Sequence, residues 1–139
     1  MEWLPVLRFG NDAQLGVRDD GEWVVEKGGA LFDLRPSKYV PALPLLQMER
    51  GAVMDEVRRK TESSGVAGRS MGAFPVARLL ETALRSQMDF WAARAIEWIE
   101  PADVDADLLD ALQQIQQARW ASQFVRGRAR KVIRALAKQ

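Results

Sequence analysis

The sequence predicts an α+β fold: a small N-terminal antiparallel β-meander of three or four strands, packed against three C-terminal helices. Two observations carry this. Up to residue 34, apolar residues alternate in short runs broken by Gly, Asp and Asn. From Pro44 onward the apolar spacing changes from two to three or four. At 139 residues the chain is read as a single domain, with a β-meander and extended loop over 1–43 and a helical part over 44–139.

The strands are "EWLPVLRF" (2–9), "LGVRDDGEWVVE" (15–26) and "ALFDL" (30–34). Pro5 marks the first as an edge strand or the start of a strand. Asp20-Gly21 suits the two-residue turn of a hairpin. That register puts Leu15 and Val17 on one face with Trp23 and Val25. Phe32 and Leu34 are expected to point inward. Pro36, Pro41 and Pro44 are expected to keep "RPSKYVPALP" extended.

The first helix is expected over 45–62, with Asp55–Arg59 and Glu56–Lys60 as i,i+4 pairs. "SSGVAGRSMGA" (63–73) reads as a flexible linker. A long helix over 74–100 has Pro75 at its first position. It aligns Val76, Leu80, Ala83, Met88, Trp91, Ala95 and Ile99, and Pro101 ends it. A final helix starts near Asp103 or Asp105, with Leu108, Leu112, Ile115, Ala118, Val125, Ala129, Val132 and Leu136 as its stripe. Gly127 is its candidate break. The short connection makes the last two helices an antiparallel hairpin. A straight final helix would then overhang its neighbour by about 15 Å, at about 1.5 Å per residue.

Composition narrows the chemistry. The chain has no cysteine and no histidine. That removes thiolate nucleophiles, the commonest general base and the commonest transition-metal ligand. The reading is against an enzyme and calls for no cofactor and no metal. "SSGVAGRS" (63–70) lacks the first glycine and the lysine of a phosphate-binding loop. Gly65-Val66-Ala67-Gly68 has the spacing of a KH-type GxxG, but no strand follows and its central pair is apolar. "DVDAD" (103–107) fails as a calcium loop, because Leu108 and Gln114 stand where Gly and Glu are needed. Its acids fit a helix cap and the positive end of a helix dipole.

The charge is uneven. The net charge is +1, yet residues 111–139 hold seven bases and no acid. The dipole accounts for Arg134 and Lys138 at the helix end, but its influence fades within a turn. Arg126, Arg130, Arg134 and Lys138 recur at i,i+4, which lays four cations along about 18 Å of one face. Arg119 and Trp120 precede them.

These six residues form the candidate partner-binding set, and the expected function is non-catalytic protein binding through the last helix. By analogy this is an adaptor- or immunity-like role. The partner is expected to be another protein or a second copy of the chain. Nucleic-acid binding through the same basic helix is the alternative, opposed by the acidic balance of residues 1–110. A second alternative is an enzyme built on the loop site Arg35, Ser37, Lys38 and Tyr39. No stretch reads as a signal peptide or a membrane span, so no membrane partner and a cytoplasmic location are expected.

Overall fold

Strand alternation shapes the N-terminal sheet, whereas side-chain caps divide the C-terminal part more finely than the sequence pattern suggests. The computed structural model describes residues 3–34, 39–63 and 74–138. The fold is α+β: a four-stranded antiparallel sheet followed by helices. The chain separates into two compact units, with the boundary between Pro75 and Val76.

The first unit opens with strands β1 (Trp3–Phe9), β2 (Ala13–Arg18), β3 (Trp23–Lys27) and β4 (Ala30–Asp33), paired in sequence order. Pro5 lies in the edge strand β1, beside a register shift between Pro5 and Leu7. A residue with no N–H to donate is tolerated there. In the β2–β3 hairpin, Val17 faces Trp23 and Leu15 faces Val25, and all four are buried.

The turn of that hairpin is one residue longer than the expected Asp20-Gly21 pair. Arg18 N–H donates to Glu22 O at 2.8 Å, and Gly21 N–H donates to Arg18 O at 2.9 Å. Asp19, Asp20 and Gly21 therefore form a three-residue loop, in which only Gly21 takes a positive φ, +89°. Asp20 avoids the left-handed region and instead accepts a hydrogen bond from Glu22 N–H at 3.0 Å.

The other face of the sheet is also used. Gly16 sits under the Trp3 ring: a Cβ there would overlap the ring and lie 2.7 Å from the Leu4 carbonyl oxygen. Its partner Val24 is fully buried. Phe32, expected inward, is 43% exposed because β4 is the short outer strand of the sheet, while Leu34 is buried.

The proline-rich segment does not stay extended. Val40–Gln47 is a 3-10 helix with Pro41 in its first turn and Pro44 inside it. Proline's fixed φ suits this geometry, and at the first turn its missing N–H costs nothing. Ala42, Leu43, Leu45 and Leu46 are buried by it. The chain turns extended at Met48, and helix α1 (Arg50–Ser63) follows.

Helix α1 packs on β1 within the same compact unit, with Val53 and Val57 buried. Gly51 falls in its first turn, so it kinks nothing. Among the described residues, Asp55 and Glu56 pair with Arg58 and Arg59, both i,i+3, rather than at the expected i,i+4 spacing. The buried Thr61 donates its hydroxyl to Val57 O at 2.8 Å. Arg35, Ser37, Lys38 and the expected linker beyond Ser63 lie outside the described residues.

The second unit has four α-helices where the sequence suggested two: α2 (Val76–Leu84), α3 (Asp89–Trp98), α4 (Ala106–Ile115) and α5 (Gln123–Ala137). The expected helix over 74–100 stops at Leu84. Ser86 donates to Ala83 O at 2.7 Å and accepts from Met88 N–H at 3.1 Å. A serine that captures the backbone in this way competes with the helix. Gln87, at φ +61°, completes the break. Met88, placed on the core stripe by periodicity, is exposed in consequence, and Trp91 is half-buried.

The last helix breaks over 116–122 and not at Gly127, which lies inside α5. Ser122 caps α5 by accepting from Val125 N–H at 3.1 Å. The four helices form one cluster, with α2 against α3 and α4, and α5 against α3 and α4. Leu79, Leu80, Leu84, Leu108, Leu112, Ile115, Val125 and Ala129 fill its interior. The overhanging hairpin is therefore replaced by a folded-back helix cluster. Among the described residues no helix is long and apolar enough to cross a membrane.

In the first unit Trp23 is 6% exposed and meets Phe74 edge-on, with ring centroids 5.2 Å apart. Trp23→Ala is expected to cost about 3–5 kcal/mol. Urea unfolding of wild type and variant measures this, and a loss well below about 1 kcal/mol would contradict the packing described.

Candidate protein-binding surface on the last helix

Arg78 of α2 and Arg85, just past its end, hold Asp105, the cap of α4, and Asp107 and Asp110 within it. Arg78 pairs with Glu81 in its own helix and with Asp105 and Asp107 across the gap. Arg85 pairs with Glu81 at 3.0 Å and Asp110 at 3.1 Å, and donates to Gln114 Oε1 at 2.8 Å. Burial works against the charge of each guanidinium. Hydrogen bonds and the surrounding carboxylates outweigh it, so both arginines have raised pKa values.

The acids of "DVDAD" thus serve the fold. Asp105 caps α4 by accepting from Leu108 N–H at 2.9 Å. Asp103 accepts from Glu100 N–H at 2.8 Å in a reciprocal capping box. Among the described residues there is no group of three or more acids arranged to hold a metal.

Helix α5 is the opposite case. Its inner face is set by Val125 and Ala129, which are buried, and by Val132, Ile133 and Leu136, which are half-buried. The spacing of four then places Arg126, Arg130, Arg134 and Lys138 in one row on the outer side. A second row runs along the other flank: Phe124, Arg128 and Lys131, at i, i+4 and i+7. The Arg128 guanidinium lies over the Phe124 ring, 5.3 Å from its centroid.

Among the described residues, none of these six bases forms an ion pair, and neither does Arg119. Arg126 differs from the rest of its row. It is half-buried, and its Nε is sealed from solvent with no hydrogen-bond partner among the described residues. It belongs partly to the packing of the helix.

The other sequence candidates are placed elsewhere. Arg119 and Trp120 lie in the turn before α5. Trp120 is half-buried and closes an open cleft of about 210 Å³ with Leu84, Arg85, Ala111, Gln114 and Ile115. It belongs to the α2–α4 side, and it does not join the basic rows. Tyr39 is 4% exposed in the first unit, so its phenol is withdrawn from solvent. Phe124, Arg128 and Lys131 are not among the residues that the sequence singles out. Their signal is an i,i+4,i+7 recurrence, which the longer basic row masks.

Asp105 supplies a test of the acidic side. Its pKa is lowered, first by the hydrogen bond from Leu108 N–H and then by Arg78. A lowered carboxylate stabilises the fold above its unfolded value, and that contribution is lost as pH falls through the lowered folded value. Asp105→Ala should cost about 1 kcal/mol near neutral pH, as a lost cap does. Asp105→Asn keeps the acceptor and should cost less, since the half-exposed pair with Arg78 contributes only tenths. The stability gap between wild type and the Asp105→Asn variant should close on acidification, as measured by thermal unfolding across a pH series.

Compared with protein-family models, with curated proteins and with solved structures, the chain matches none.

Proposed function

We propose that the chain is a non-catalytic protein-binding module of the cytoplasm, contacting an acidic partner through the outer side of α5. The observation that carries this reading is a contrast inside one helix cluster. Arg78 and Arg85, in α2 and just past its end, are consumed by ion pairs with the acids of α4 and its cap, while the six bases of α5, its C-cap Lys138 included, have no ion pair among the described residues. Four of those six are arginine, the cation enriched at protein interfaces, where lysine is depleted. A steering field of this kind speeds encounter with an acidic surface and selects against basic ones.

Nucleic acid is the second reading, because two basic rows flanking an exposed phenylalanine also suit phosphate and stacked bases. The two are separable. Arg130 and Arg134 are both exposed, so Arg130→Glu with Arg134→Glu should shift stability by only tenths of a kcal/mol. With a protein partner, the double variant is expected to abolish one specific complex captured by the wild type, and duplex DNA should show negligible affinity at physiological salt. With nucleic acid, gel shift across a salt series would give tight binding and a log–log slope of about −3.6 for about four phosphate contacts. That slope, lost in the variant, would overturn the protein reading.

A further inference from the structure

We propose that the corner where α3 and α5 begin is the anchor point of this surface, and that it takes an acidic segment of a partner protein bearing a bulky apolar side chain. The inference rests on the protein-binding reading above and names the chemistry of the partner.

The corner is defined by one hydrogen bond. Ser122 N–H donates to Asp89 Oδ1 at 2.7 Å, which ties the cap of α5 to the first residue of α3. Both helices therefore start at the same end of the cluster. Among the described residues of the second unit, the large apolar side chains left exposed are Met88, at 53%, Phe90, at 47%, and Phe124, at 60%. Each lies within two residues of that bond.

Their exposure is not a by-product of poor packing nearby. Val125, next to Phe124, and Ala92, two residues after Phe90, are fully buried, so the phenylalanines are turned outward by helical phase. Phe90 also stands edge-on to Trp91, with centroids 4.8 Å apart, which restrains the ring.

Each exposed ring carries a cation. The Arg94 guanidinium lies 5.0 Å from the Phe90 centroid, and that of Arg128 lies 5.3 Å from the Phe124 centroid. Met, aromatic and Arg side chains are the composition of an interface centre, and here all of them stand at or near the starts of two helices tied by one hydrogen bond. Asp89 is an acid at this corner, but its Oδ1 already holds the Ser122 N–H.

Charge complementarity selects the occupant. From the corner the basic rows of α5 run on through Arg128, Arg130, Lys131 and Arg134, so a chain anchored there meets cations along its length. A second copy is a poor fit, since a two-fold contact would set the same bases against themselves. Nucleic acid would use the cations but leave Met88 without a role.

The test uses the full chain and three labelled synthetic peptides, read by fluorescence anisotropy. One alternates Asp and Glu with Leu and Phe. One keeps the acids and replaces every Leu and Phe by Ser. One keeps Leu and Phe and replaces the acids by Gln. The acidic apolar peptide should bind at least about tenfold more tightly than either of the others. Phe90→Ala with Phe124→Ala should erase its advantage over the acidic Ser peptide while thermal unfolding stays near wild type. If that double variant loses its fold, Met88→Ser and Phe124→Ser taken singly carry the same comparison.

Equal binding of both acidic peptides, abolished by Arg130→Glu with Arg134→Glu, would overturn the corner and leave the basic-face reading standing. Binding of none of the peptides would overturn the corner as well. Tight binding of duplex DNA, or a concentration-dependent dimer by light scattering, would overturn the reading of a separate acidic protein partner itself.

Discussion

Arg78 and Arg85 set the electrostatic terms of the helix cluster. Their guanidiniums face Asp105, Asp107 and Asp110 at the start of α4, and this fixes α2 against α4 through charge as well as through Leu79, Leu80, Leu108 and Leu112. The same pairing removes the acids of α4 from any role in neutralising α5. A cluster with ten bases and eight acids is thereby divided into a paired side and an unpaired one. The division follows from which helix holds the partners, and the net charge of the chain, +1, conceals it.

The parts of the fold that are legible in the sequence are those where one local signal acts alone. Alternation around Asp20-Gly21 is enough to put Trp23, Val25, Leu15 and Val17 on one face. Periodicity misleads where two signals compete. The breaks at 85–88 and 116–122 each last roughly one or two turns, so the apolar stripe resumes near its old phase and the pattern reads straight through. Ser86 and Ser122 are the available clues, since each can satisfy backbone groups that a continuing helix would otherwise use. The proline segment misleads for a related reason. Restricted φ suggests extended chain, yet the same φ serves a 3-10 turn.

The candidate surface is half legible. The i,i+4 row on α5 needs only sequence numbering and helical geometry, and it survives the correction of the helix boundaries. Trp120 cannot be placed without knowing that its neighbourhood is a turn: in a continuous helix it would flank the basic row, and in the turn it packs toward α2 and α4. Phe90 and Phe124 are the sharper case. Their exposure depends on where α3 and α5 start, and so on Asp89 and Ser122, which numbering alone cannot bring together.

Helix α5 itself carries a cost that bears on its use. Like charges four residues apart destabilise a helix by a few tenths of a kcal/mol per pair, and Arg126, Arg130, Arg134 and Lys138 present three such pairs in succession. No acid lies after Asp110 to offset them within the helix. Stability must come from the Ser122 cap, from Val125 and Ala129, and from the half-buried Val132 and Leu136. The apolar contribution thins toward the C-terminus, where Arg134 and Lys138 have no acid on the helix to offset them. A partner that brings carboxylates to the outer face would relieve this repulsion and stabilise the last turns of α5 at the same time. Under the proposed function, binding and helix stability are therefore linked, and the end of α5 gains more order from the complex than its start does.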